Sequence, residues 1–149
     1  MTDLDVVFRL RSLAGVEMID LHDHAAGYCP RSPIDVPDEM WERDVEESRY
    51  LDGFAETHSR LAGGVLVVDL RIDGSSWAQV QQRRLAVRAA YVSAPVFLVD
   101  LTLEGVTYTF RANRPDVSGL AVRNTDLARA VQTVRLSFPV QPNPALTGV

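Results

Sequence analysis

Lysine is absent from this 149-residue chain, and all fifteen basic residues are arginine. We read that bias as the codon usage of a GC-rich genome rather than as selection for the bidentate contacts that only arginine makes. Cysteine is nearly absent too. The single Cys29 excludes an internal disulfide and a multi-thiolate zinc site. No apolar run is long enough to span a bilayer, and the opening MTDLDVVFRL lacks the basic-then-apolar layout of a signal peptide. Synthesis in a cytosol, without membrane insertion, is the expectation. There is no Gly-x-Ser-x-Gly, no P-loop, no dinucleotide fingerprint and no internal repeat. The net charge of −5 offers no basic footprint for a dedicated nucleic-acid reader.

What remains is an ordinary globular composition, 46% hydrophobic and 23% charged, in a chain that fits one domain with a real core. Gly64 to Ala112 organises it. Leu66, Val68, Leu70 and Ile72 alternate with Val67, Asp69 and Arg71, the period of a strand with one buried face. Asp73-Gly74-Ser75-Ser76 ends that strand, and either serine can cap a following helix over Ser76 to Val92. On this helix Trp77, Val80, Leu85, Ala89 and Val92 share a broad apolar arc, with Gln79, Gln82, Arg83, Ala86 and Ala90 opposite. Phe97, Val99, Leu101 and Leu103 then alternate as a second strand. Glu104-Gly105 makes a two-residue turn, and Val106, Tyr108, Phe110 and Ala112 return.

Before this stretch, Leu4 to Leu10 and Gly15 to Leu21 read as strands, with His22 to Gly27 as the turn of a polar hairpin and Tyr28 starting its return. Cys29 to Pro37 reads as a proline-punctuated connector. Met40 to Tyr50 is read as an exposed strand or arm, Leu51 to Phe54 as a turn, and the polar segment near 54–64 as a mobile loop. After it, Asn113 to Asp116 and Ser118-Gly119 carry turn chemistry, and Ala130 to Phe138 forms a last strand with Ala130, Val134, Leu136 and Phe138 on one face. The expected domain is 1–138, followed by an extended, proline-rich tail over 139–149, disordered or laid on a partner.

Few residues invite a chemical reading. His22-Asp23-His24 could begin a metal site, since His-x-His on a strand points both rings to one face. The chain is too short for the barrel that amidohydrolases build on such a pair, and no glutamate follows at cupin spacing. Asp23, Ala25, Ala26 and Gly27 read more simply as turn residues. Cys29 lies between a turn and a proline, without a positioned base. The amides at Asp73 to Ser76 could cradle an anion, but a helix cap explains them. Glu42, Asp44, Glu46 and Glu47 read as a solvated face with no acid–base pair. No catalytic, cofactor or metal residue is therefore expected, nor an enzyme.

Charge is unevenly spread. Residues 1–60 hold fourteen acids against six arginines, for −8, and residues 61–149 hold six against nine, for +3. A chain with an acidic half and a mildly basic half can stack head to tail on copies of itself. The arginines at 83, 84 and 88 are read as a solvated end that matches the helix dipole; the alternative is contact with an acidic neighbouring subunit.

The order of elements resembles a known family. The strand Leu66–Ile72, Gly74-Ser75, the helix Trp77–Val92, the strand Phe97–Leu103 and the return Gly105 to Ala112 look like the tube-like domain of tail proteins from long-tailed bacteriophages, distal tail and minor tail proteins above all. Ile19-Asp20-Leu21-His22-Asp23 with Gly27-Tyr28 is similar to that family's opening hairpin, and Tyr50-Leu51-Asp52-Gly53 to a segment before its long strand. The longer distal tail proteins carry a second, C-terminal domain, which this chain is expected to lack. The resemblance implies a mainly β (α+β) fold: an antiparallel β-sandwich or part-closed barrel with one packed α-helix. It implies a structural virion protein that forms a ring with copies of itself, usually six, and joins the tail tube to the tip. Its partners would be the tail tube protein, the tape-measure protein and the tail-tip or hub proteins, with DNA only as passing cargo. Tail tube and tail terminator rings share related folds and are alternatives; a small cytosolic ligand-binding β-sandwich is a further one.

Overall fold

Side-chain alternation decides which face of each long strand enters the core. In a computed structural model that describes residues 6–37, 40–47, 54–119, 122–141 and 145–147, β6 (Gly64–Asp73) buries Leu66, Val68, Leu70 and Ile72 completely. β10 (Val131–Val140) lies antiparallel to it from Val131↔Asp73 to Val140↔Gly64 and buries Val134, Leu136, Phe138 and Val140. β7 (Val96–Leu103) and β8 (Val106–Asn113) form the expected hairpin, closed at Leu103↔Val106. Glu104 and Gly105 both have positive φ, 48° and 84°, as in a type I′ turn, which matches the twist of the strands it joins. The hydroxyls of Thr102 and Thr107 meet at 2.8 Å beside it.

β1 (Val6–Arg11) runs along the other side of β7, with β2 (Glu17–Asp20) outside it, and β3 (Tyr28–Asp35) runs along β6. The strand order is β2-β1-β7-β8-β10-β6-β3, antiparallel throughout. Its seam is a single residue pair, Ala112 of β8 opposite Val140 of β10, reinforced where the Gln141 amide donates to the Arg111 carbonyl at 3.0 Å. Beyond that point the two strands part. Each takes a short partner on the edge so exposed: β11 (Ala145–Thr147) on β8 and β9 (Asp116–Gly119) on β10. An unpaired edge would be a template for aggregation. The two halves curl about the seam into a half-barrel, mostly antiparallel β with one long helix, α1 (Trp77–Val92). Between the halves, Phe138 of β10 meets Phe8 of β1 and Phe97 of β7 edge-on, with ring centroids 6.1 and 6.0 Å apart. All three rings are fully buried.

Several expectations need correction. The segment 22–27 is a turn, but β2 and β3 do not pair as a hairpin; they occupy opposite ends of the strand order. The Leu21 amide donates to the Phe8 carbonyl on one side, and the Asp73 amide donates to the Gly27 carbonyl on the other. Cys29 to Pro37 is a strand over most of its length, on the sheet edge where missing proline donors are tolerated. Its register breaks between Arg31 and Asp35, around Pro33. Met40 to Glu47 forms the expected strand, β4, but its partner is the segment read as a loop: Phe54 to Ala62 is β5, and the two make a separate two-stranded sheet. The turn expected at 51–54 lies, up to residue 53, outside the described residues. Ser118-Gly119 belongs to β9 rather than to a turn. A short helix, α2 (Asn124–Arg129), was not foreseen; the Asp126 carboxylate accepts from the Arg123 amide at 2.9 Å and caps it. The last strand runs through Pro139 to Val140, and 145–147 pair with β8, so the described part of the tail belongs to the sheet.

Phe138 is the only ring touching both Phe8 and Phe97 among the described aromatic pairs. Phe138→Ala should cost about 3–5 kcal/mol by chemical denaturation. A loss under about 1 kcal/mol would mean that the halves are held together elsewhere.

Candidate functional site

The residues that looked chemical are structural. His22 Nδ1 lies 3.1 Å from the Phe8 carbonyl and 3.3 Å from the Phe8 amide, tying the turn to β1. Asp23 Oδ1 accepts from the Ala25 and Ala26 amides at 3.1 and 3.4 Å, and the His24 carbonyl accepts from the Gly27 amide. This is a side-chain-capped turn. Among the described residues no three His, Cys, Asp or Glu side chains are placed to share a metal ion. Cys29 is half-buried on the edge strand, its Sγ 3.7 Å from the Pro30 carbonyl. At the helix start Ser76 is the N-cap, its Oγ accepting from the Gln79 amide at 3.2 Å. The Ser75 amide and hydroxyl both donate to Gln79 Oε1, at 2.6 and 2.8 Å. Those donors are thus satisfied within the chain, which removes the anion-cradle reading.

Polar pairs tie the strands together on the outward faces. Asp100 of β7, 8% exposed, accepts from Arg11 Nη2 and Thr109 Oγ1, each at 2.9 Å, and so links three adjacent strands. Arg11 Nε lies against Asp100 Oδ2 as an ion pair without a directed hydrogen bond. The hydrogen bond from Arg11 to Asp100 pushes the guanidinium above its ordinary value, against the opposing effect of burial. Arg135 grips Asp69 across β10 and β6 at 2.8 and 3.3 Å. Nothing in this set resembles an acid–base or nucleophile–base arrangement.

The long helix is where the sequence reading and the structure part most. Val80 and Val87 are buried, and Trp77, Ala90 and Tyr91 pack on the core. Leu85 and Val92, expected inside, are 59% and 44% exposed, and Ala89 is exposed with them. Arg83 and Ala90, expected outside, turn inward. The helix is apolar on both sides, so its pattern alone leaves the buried face undecided. Polar tethers decide it. The Tyr28 hydroxyl donates to the Arg83 carbonyl at 2.8 Å, Arg83 Nη1 donates to the Asp73 carbonyl, and Gln81 Nε2 donates to buried Gln132 at 3.0 Å. The dipole reading of the arginines fails as well, because none lies in the last turn. Arg114, arriving from the end of β8, donates to the Val92 carbonyl at 2.8 Å instead.

Among the described residues, two features make no substantial contact with another element: this outward helix face, and the β4–β5 sheet. The latter is an arm, since its two strands pack on each other and on no other element to any extent. It leaves and re-enters the body at one point. A Cβ on Gly64 would lie 2.5 Å from Pro37 Cβ, and one on Gly63 would lie 2.6 Å from the Val140 carbonyl oxygen. The base of the arm is therefore clamped by contacts only glycine permits.

The fold is that of phage tail hub proteins. The chain superposes on a chain of the phage p2 baseplate in its activated conformation with Ca, at TM-score 0.69 and 9% identity, over 91% of this chain and 44% of that one. The corresponding Sr structure gives 0.68, at the same identity and coverage. The SPP1 Dit protein, described as a paradigm of the hub adsorption apparatus in phages infecting Gram-positive bacteria, gives 0.66 at 13% identity, over 97% of this chain and 52% of that one. The chain thus spans about half the length of the structures it matches. No protein-family model matches the sequence, and no curated protein does either. The mainly β, phage-tail-like fold with one packed helix that the sequence resemblance implied is the fold observed.

Two tests follow from these contacts. Gly64→Ala should lower stability by about 1–3 kcal/mol through overpacking against Pro37, read as a fall in Tm; an unchanged Tm would show that the arm base is not clamped. Burial pushes the Tyr28 phenol above its ordinary 10.0. The folded state then favours the protonated phenol, so its contribution to stability is full below pH 10 and is lost as pH rises through the raised value. Tyr28→Phe should cost about 1 kcal/mol at neutral pH, from the lost hydroxyl bond, and should flatten the decline in stability above pH 10. An alkaline profile unchanged by the substitution would assign that decline to other groups.

Proposed function

We propose that the chain is a structural component of a bacteriophage tail, at its distal end, where copies assemble into a ring that joins the tube to the tip. The observation that carries this reading is the match over nearly the whole chain to hub and baseplate proteins. Six copies, a central channel for the tape-measure protein and DNA, and contacts to tube and tip proteins complete the reading, and it places the protein in the virion. The acidic first 60 residues would keep DNA off a channel wall or meet the basic half of a neighbour.

Native mass spectrometry and negative-stain imaging of the purified chain should show a closed ring of six. Antibodies against it should label the distal end of tails rather than their shafts. A strict monomer that labels no particle would overturn the proposal, and a ring labelled along the shaft would transfer it to the tube.

A further inference from the structure

We propose that α1 is a releasable strap across the open side of the half-barrel, which lifts as a unit while the sheet stays folded.

The strand order ends at β2 in one half and at β3 in the other, and these two ends do not pair. Away from the Ala112–Val140 seam the half-barrel is therefore open, and α1 reaches across to both halves. It packs on β6 and β10 of one half and on β2 of the other. Its polar tethers divide in the same way. Gln81 Nε2 donates to Gln132 of β10, Arg83 Nη1 donates to the Asp73 carbonyl of β6, and the Arg83 carbonyl accepts from Tyr28 at the start of β3. These three bonds hold the first half of the helix to one side. At its far end the Val92 carbonyl accepts from Arg114, which follows β8 of the opposite half.

The strap is lightly fastened. Of its sixteen residues only Val80 and Val87 are buried, with Trp77, Ala90 and Tyr91 partly covered. β6 and β10 each bury four hydrophobic residues. Leu85, Ala89 and Val92 stay in water even when the helix is docked. The backbone bonds of a helix close within it, whereas β6 is laddered on both sides, to β10 and to β3. Lifting α1 therefore breaks no ladder of the sheet. The seam and the contacts of Phe138 with Phe8 and Phe97 keep the halves joined when it goes. Off the core, a helix of this length is marginal in water. Lifting and melting thus coincide, and the seat of Val80 and Val87 is laid open.

Native-state hydrogen exchange, followed by NMR in guanidinium below the unfolding transition, tests the strap. Amides 81–92 should exchange as one set, at least about a hundredfold faster than those of β6 and β10 after correction for intrinsic rates. Their dependence on denaturant should be shallower, since lifting exposes less surface than unfolding. Phe138→Leu, which shortens a core side chain and keeps it apolar, should speed the β6 and β10 amides about tenfold. The α1 set should stay within about twofold of the unaltered chain, because the Phe138 contacts survive lifting. Gln81→Ala should speed the whole α1 set about fivefold through loss of the bond to Gln132. The strap is overturned if α1 amides share the opening free energy and denaturant slope of β6 and β10, or accelerate equally with Phe138→Leu. It is overturned too if they respond to Gln81→Ala one by one, which is fraying rather than release.

Discussion

Phe138 holds the two halves of this protein at their working angle. The backbone joins β8 to β10 through one residue pair, Ala112 and Val140, too little to fix the orientation of two sheets. The ring of Phe138 supplies the rest by packing edge-on against Phe8 and Phe97 from the opposite half. Edge-to-face geometry is directional in a way that aliphatic contact is not. The fold can therefore stay open along the seam without becoming loose. The short strands β9 and β11 follow from the same arrangement, since halves that splay must each cover an edge.

The strands built on alternation were legible in the sequence, and so was the Glu104-Gly105 turn, because both depend on neighbours two residues apart. The failures at β3 and α1 share a cause: each depends on a partner distant in the chain. β3 looked like a connector because its prolines argue against a central strand, and nothing local says that it lies at an edge. β5 looked like a loop because its residues are polar, whereas its pairing with β4 needs only backbone groups. The buried face of α1 was misassigned because leucine and alanine on one side rival valine, tryptophan and tyrosine on the other. Tyr28, 55 positions from the Arg83 carbonyl it bonds, broke that tie. The turn after β2 was readable from its own residues, since Asp23 bonds the Ala25 and Ala26 amides within it. The outward helix face was hidden inside a pattern taken for core.

The polar contacts show how the protein spends its charge. Buried or half-buried groups, such as Asp100 with Arg11 and Thr109, are matched within the chain and bind adjacent strands together.

The glycine clamp at the base of the arm has a mechanical consequence. Gly63 lies against the carbonyl of Val140, and Val140 is also the residue on which the two halves are hinged. The backbone at Val140 thus serves both the seam between the halves and the foot of the β4–β5 sheet, which couples the two positions.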